Sequence, residues 1–421
     1  MCTLIVILIS LLPLLLYWIY WRYTHRRLLK LAALVPGPPT LPILGNALLF
    51  MGQPEVLTSN KVNKKGPLYD FMVSFIGQGI LTGGPSWRLY RKLATPSYNK
   101  KSVQIFSEVF NREADELANK IASKNYETFD VYFDVVYRTT HMYGVIFSKM
   151  TKWWLHIPFF YWLTGYRKQE VVFKKMIDIM TSDILEKRRK AINVSSSLNN
   201  DGIGIVDRFI MDGLSDAEIK LEAFTLFTTS QEAAAKITSA VLVFLAHLPD
   251  WQEKVYKEII EIVGLSGDVT EEHLKQLHNL DLIFKEVLRW LSIAAFIQRT
   301  VEEEVSINDG KITLPVGTSL VIPIHELHRD PRYWDEPYKI KPERFLPENM
   351  RSRDPNAFVP FSLGVMDCLG RIYATSLIKI LAVKVIRQVH LEADGNIEDL
   401  DLHVAISVKF FKGYNLRARP R

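Results

Sequence analysis

Phe361-Ser362-Leu363-Gly364-Val365-Met366-Asp367-Cys368-Leu369-Gly370 leads into a helical pattern from about Arg371 to Gln388. Cys368 stands just ahead of that helix. A cysteine there feels the positive end of the helix dipole, which favours the thiolate. The flanking glycines let the backbone come close to something flat or bulky. A cysteine taken alone is more often a small buried hydrophobe, so the loop has to be weighed with the rest of the chain.

Cys2 and Cys368 are the two cysteines in 421 residues, which excludes a disulfide scaffold and any multi-cysteine zinc or iron–sulfur site. Hydrophobic residues at 48% and charged ones at 23% exclude a disordered tail protein. The chain is long enough to enclose a cofactor. Its 52 Lys+Arg against 46 Asp+Glu give a net charge of +6. Arg22, Arg26, Arg27 and Lys30 carry much of that excess, so the balanced remainder gives no argument for a nucleic-acid partner.

Met1 to Trp21 contains no charge, and Leu4 to Tyr20 is almost wholly apolar, broken by Ser10 and Pro13. A helix of about 20 apolar residues spans a bilayer core. A cleaved signal peptide carries its positive charge ahead of the apolar run; here the cations follow it. Residues 1–21 are therefore expected to be a transmembrane anchor, with the body in the cytosol. Residues 22–40 read as a basic stretch and a stiff hinge, Pro36-Gly37-Pro38-Pro39.

The body, 41–421, reads as mainly α with a small β part. Helical periodicity covers Ser102 to Ser123, Glu170 to Lys190, Ser215 to Leu248, Trp251 to Val263 and Leu280 to Leu291. Strand signals cluster after residue 295: Thr313 to Gly317, Ser319 to Ile322 and Val404 to Phe411.

Several fragments lack the context their chemistry needs. Gly77-Gln78-Gly79 with Gly83 has the wrong spacing for a dinucleotide loop and reads as a turn. His328-Arg329-Asp330 has no kinase partners elsewhere. His325 and His328 are three apart, whereas a zinc helix sets its histidines four apart. Asn193-Val194-Ser195 is a glycosylation sequon that a cytosolic body would leave bare.

The cysteine loop resembles the Phe-x-x-Gly-x-Arg-x-Cys-x-Gly signature of the cytochrome P-450 superfamily. Glu286-Val287-Leu288-Arg289 resembles its Glu-x-x-Arg helix, and Pro342-Glu343-Arg344-Phe345 the segment whose arginine completes that ion network. Trp87-Arg88-Leu89-Tyr90-Arg91 resembles its Trp-x-x-x-Arg helix. The motifs occur in the family's order and cover most of the chain. The anchor matches the microsomal type. The text around Leu327 to Arg332 and Phe345 to Asn349 is similar to the branch of fatty-acid ω-hydroxylases and many insect members.

The resemblance implies the cytochrome P-450 fold and haem b, with Cys368 as thiolate ligand of the iron. It implies that Phe361 shields the sulfur and Gly364 turns the loop. Trp87, Arg91 and Arg299 become candidates for holding haem propionates. Glu232 becomes the catalytic acid of the oxygen-activating turn Ser230-Gln231-Glu232-Ala233. It implies monooxygenation of an apolar small molecule (fatty acid, hormone-like lipid or xenobiotic). Electrons would come from NADPH through NADPH–cytochrome P-450 reductase at the endoplasmic reticulum membrane.

Three departures qualify this. Met366 stands where the signature has arginine, so one propionate loses a charge-assisted partner. Ala233 stands where the family has a proton-delivering hydroxyl, and Thr229 where some members carry a haem-linked glutamate. Sequence also looks missing near residue 60, from the first sheet, and near 137–152, from the D–E helical region, as if exons were skipped or the gene assembled incompletely. The alternative reading is a haem-thiolate protein without efficient monooxygenase turnover: a rearrangement or peroxide-using enzyme, or an inactive product.

Overall fold

The computed structural model describes residues 2–24, 26–27, 30, 54–124, 126–194, 203–307 and 310–421. The proline hinge and Ser195 of the sequon lie outside them. In chain order, the helices longer than six residues are α1 (Cys2–Thr24), α2 (Asp70–Ile76), α3 (Trp87–Ala94), α4 (Lys100–Ala122), α5 (Phe133–Thr151), α6 (Tyr166–Val194), α7 (Ile205–Met211), α8 (Asp216–His247), α9 (Pro249–Ile262), α10 (His278–Trp290) and α11 (Arg371–Gln388). The strands are β1 (Lys64–Lys65), β2 (Phe129–Asp130), β3 (Ile297–Thr300), β4 (Val305–Ile307), β5 (Ile312–Leu314), β6 (Ser319–Ile322), β7 (Val389–Glu392), β8 (Leu402–Val404), β9 (Val408–Phe410) and β10 (Asn415–Pro420).

The chain forms two compact units. One comprises Met1–Gly66 and Gln298–Ile322. Its sheet has the order β1-β3-β6, with Lys64 opposite Thr300 and Lys65 opposite Arg299. The β4–β5 hairpin belongs to it. Among the described residues no single helix is long and apolar enough to cross a membrane. The side chains of residues 2–11 lie outside that description, so the anchor expected at 1–21 stands on the sequence alone.

The other unit comprises Pro67–Ile297 and Pro323–Arg421. Its main core packs α8 among α4, α10 and α11, with β7, β9 and β10 along one side. The α8 helix starts at a capping box: the Ser215 side chain accepts from Glu218 N–H while Ser215 N–H donates to Glu218 Oε2. It ends before Pro249, which opens α9. Between these ends Ile237 to Ala246 is buried without a break. That is why an apolar run with little amphipathic contrast is a central helix here.

The helices expected from periodicity all form, with ends displaced by a few residues. The α11 helix keeps the expected bounds. Strands are not confined to the region after residue 295: β1 and β2 come much earlier. They are two residues long, too short to show alternation. Residues near 137–152 form most of α5, which packs on α6 and α8.

Candidate functional site

The cysteine loop is a tight turn closed on itself. Cys368 N–H donates to the Phe361 carbonyl at 2.9 Å, and Asp367 N–H to that of Gly364 at 3.1 Å. Gly364 has φ 76° and Ser362 φ 63°. Glycine tolerates that left-handed backbone, whereas Ser362 stores strain there. Phe361 is half-buried against the main core. Cys368 is exposed, though protein crowds the space around it. Burial pushes the thiol pKa up; a Gly370 backbone hydrogen bond, Arg91 and Arg371 oppose this, while Asp367 adds to it. Solvent reaches the residue.

Could these residues hold a haem? A haem would bring its own nitrogen ligands to the iron, so the protein would need to add one thiolate donor, which Cys368 would supply. An exposed cysteine with a backbone donor at its sulfur and two guanidiniums nearby is suited to that. Among the described residues no group of three or more His, Cys, Asp and Glu is arranged to hold a metal ion. The donor set fits a haem thiolate.

Helix α3 brings its two candidates to one face. Trp87 is buried at its first turn. Arg91, one turn on, is turned onto the cysteine loop: Nη2 donates to Asp367 Oδ1 at 2.6 Å and Nη1 to the Asp367 carbonyl at 2.8 Å. Arg371 donates to the other oxygen of the same carboxylate. Arg299 lies in the first unit, buried in β3, with Nη1 donating to the Gln298 carbonyl at 3.0 Å.

Glu286 and Arg289 form a fully buried bidentate pair, with both N–H···O distances 2.7 Å. Arg344 completes the network, its Nε 3.7 Å from Glu286 Oε1. Arg289 also donates to the carbonyls of His328, Pro337 and Lys339, so its charge is well satisfied.

Glu232 is not held loosely. It is buried, and Oε1 accepts from Lys236 Nζ at 2.8 Å and from Ser407 Oγ at 3.0 Å. Lys236 Nζ also donates to Ser407 Oγ at 2.6 Å, closing a triangle between α8 and the β8–β9 turn. Burial depresses the Lys236 pKa and the Glu232 charge opposes that. Ser230 Oγ donates to the Phe227 carbonyl at 3.2 Å.

Three features escaped the sequence reading. The first is His328, fully buried, whose Nε2 accepts from Val359 N–H at 3.0 Å. The second is Lys236, whose i,i+4 spacing to Glu232 was readable but not its burial. The third is Glu222, buried beneath the glycine turn. Its Oε2 accepts from Ile80 N–H at 3.2 Å, and a Cβ at Gly79 would overlap its carboxylate. Desolvation pushes the Glu222 pKa up to about 7, against that one hydrogen bond. The glycines dismissed as a plain turn thus make room for an acid.

Known proteins resemble this chain in sequence and in fold. The sequence model of the family described as Cytochrome P450 matches residues 136–409. Cytochrome P450 4V2 of Mus musculus is 29% identical over 393 residues, covering 82% of this chain and 74% of that protein. Cytochrome P450 4c3 of Drosophila melanogaster is 26% identical over 487 residues, covering 94% and 91%. A solved crystal structure of a cytochrome P450 (CYP102L1) superposes with a TM-score of 0.72 at 22% identity, covering 87% of this chain and 90% of that one. At that identity it speaks for the fold alone. With the family match spanning well over half of the chain and the relatives falling among the P450 4 proteins, the chain belongs to the cytochrome P450 family, in its P450 4-like branch.

Proposed function

We propose that the chain is a haem-thiolate monooxygenase acting on an apolar organic molecule. The observation that carries this reading is the exposed Cys368 in its closed turn at the head of α11. Cys368 would be the protein's ligand to the iron, with Phe361 beside the sulfur and Gly364 setting the turn. Trp87 and Arg91 are the candidates for the propionates. A haem bound there supplies the redox chemistry that puts one atom of dioxygen into a C–H bond and the other into water. NADPH electrons would arrive through NADPH–cytochrome P-450 reductase, with the N-terminal helix anchoring the chain in the endoplasmic reticulum membrane.

The test is spectroscopic. The reduced carbon-monoxide complex should show the red-shifted Soret band of thiolate ligation, and Cys368→Ala should abolish it. An unchanged band in that variant would sink the assignment.

The Glu232–Lys236–Ser407 triangle favours a second reading beside this one. Oε1 of Glu232 is taken up by Lys236 and Ser407, and Ala233 brings no hydroxyl. A haem-thiolate protein with weak monooxygenase turnover would carry such features. NADPH-dependent product formation separates the two.

A further inference from the structure

Building on Arg91 as a propionate partner, we propose that Asp367 is an internal anion that competes with the haem for Arg91 and so limits how firmly the chain holds its cofactor. Arg91 presents one edge of its guanidinium to Asp367, through the carboxylate at 2.6 Å and the carbonyl at 2.8 Å. A carboxylate beside a guanidinium fork is also what a propionate would be. Arg91 and Asp367 are 21% and 25% exposed, enough cover for their charges to matter and enough solvent for exchange. When a propionate takes Arg91, Asp367 keeps Arg371.

Met366 sharpens the competition. It is uncharged where the family signature has a cation, so the loop brings one negative side chain next to Cys368 and no positive one at 366. Two carboxylates drawn to one guanidinium repel each other. Each gain for the propionate is therefore offset by what Asp367 gives up.

A double-mutant cycle tests this on the purified holoprotein, read as the rate of haem transfer to excess apomyoglobin followed by Soret absorbance. Removing the competing carboxylate should let a propionate hold Arg91 unopposed, so Asp367→Asn should slow haem loss about tenfold, equivalent to about 1.4 kcal/mol. Arg91→Gln should speed it, and Asp367→Asn should then add no protection. Arg371→Gln, which leaves Asp367 to Arg91 alone, should also speed haem loss. Thermal unfolding by circular dichroism checks that each variant is folded.

If Asp367→Asn speeds haem loss or leaves it unchanged while Arg91→Gln speeds it, the competition is refuted and the propionate role of Arg91 survives. If Arg91→Gln has no effect, that role itself fails, and the competition with it. Should Asp367→Asn not fold, the Arg371→Gln arm decides: unchanged haem loss there overturns the proposal.

Discussion

His328 accepts the Val359 N–H at Nε2, 3.0 Å away, while its own carbonyl takes Arg289 Nη1 at 3.1 Å. One buried histidine thus links the Glu286–Arg289 network to the segment that runs into the cysteine loop. Because Nε2 accepts, the ring proton sits on Nδ1, which faces Ser292 Oγ at 3.2 Å. His328→Ala would orphan the Val359 N–H. An unsatisfied buried donor costs about 1–3 kcal/mol, and the cavity adds to that. We expect a lower melting temperature and faster haem loss, both partly recovered in His328→Gln. A melting curve like that of the natural chain would show that the bond contributes nothing.

The same ring makes a pH prediction. Burial first, and then Arg289 and Arg329, lower the His328 pKa to about 3; burial and Arg329 lower that of His325 to about 3. An unfolded histidine titrates near 6.5. Between about pH 6.5 and 3 the unfolded chain therefore binds protons the folded chain refuses. Each histidine then removes stability as pH falls, by roughly 1.4 kcal/mol per unit. Denaturation measured between pH 6.5 and 5.5 should show a shallower slope in His328→Gln than in the natural chain. Parallel slopes would mean that His328 takes up protons in the fold as readily as in the unfolded chain.

How much of this could be read beforehand depends on distance along the chain. Glu286 and Arg289 lie three residues apart on one helix, so their spacing showed that they can pair. Glu232 was legible as an acid on a helix. Its Ser407 partner was not, because Glu232 and Ser407 are 175 positions apart. Arg91 and Asp367 are 276 apart and meet only through the fold. His328 sat in a fragment resembling two unrelated motifs, and rejecting both left its buried role unseen. The glycine turn at 77–83 looked like punctuation because Glu222, which it encloses, belongs to another helix.

Lys236 gives a stability prediction. It is buried, and its ammonium is balanced by Glu232 across one helical turn. Removing one partner of a buried pair leaves an uncompensated charge, typically at 3–5 kcal/mol. Lys236→Met should destabilise the chain by about that much. The double change Lys236→Met with Glu232→Leu should recover most of it, since both charges go. Denaturant melts of the three variants decide. Equal stability of single and double variants would show that the charges do not depend on each other.

Proton delivery gives the last prediction. Glu232 Oε1 is taken up by Lys236 and Ser407, and Ala233 offers no hydroxyl. Ser230, one turn away, spends its Oγ–H on the Phe227 carbonyl. A positioned proton donor typically contributes 10²–10⁴ in rate, so a chain without one should waste reducing equivalents. With a reductase supplied, much of the NADPH consumed should appear as hydrogen peroxide. Ala233 is half-buried on α8, where threonine costs a helix only a few tenths of a kcal/mol. Ala233→Thr should therefore fold normally and raise product per NADPH. Measuring NADPH, peroxide and product together tests this. Tight coupling in the natural chain, with no gain in Ala233→Thr, would place the proton path on groups other than α8, such as a hydroxyl of the substrate.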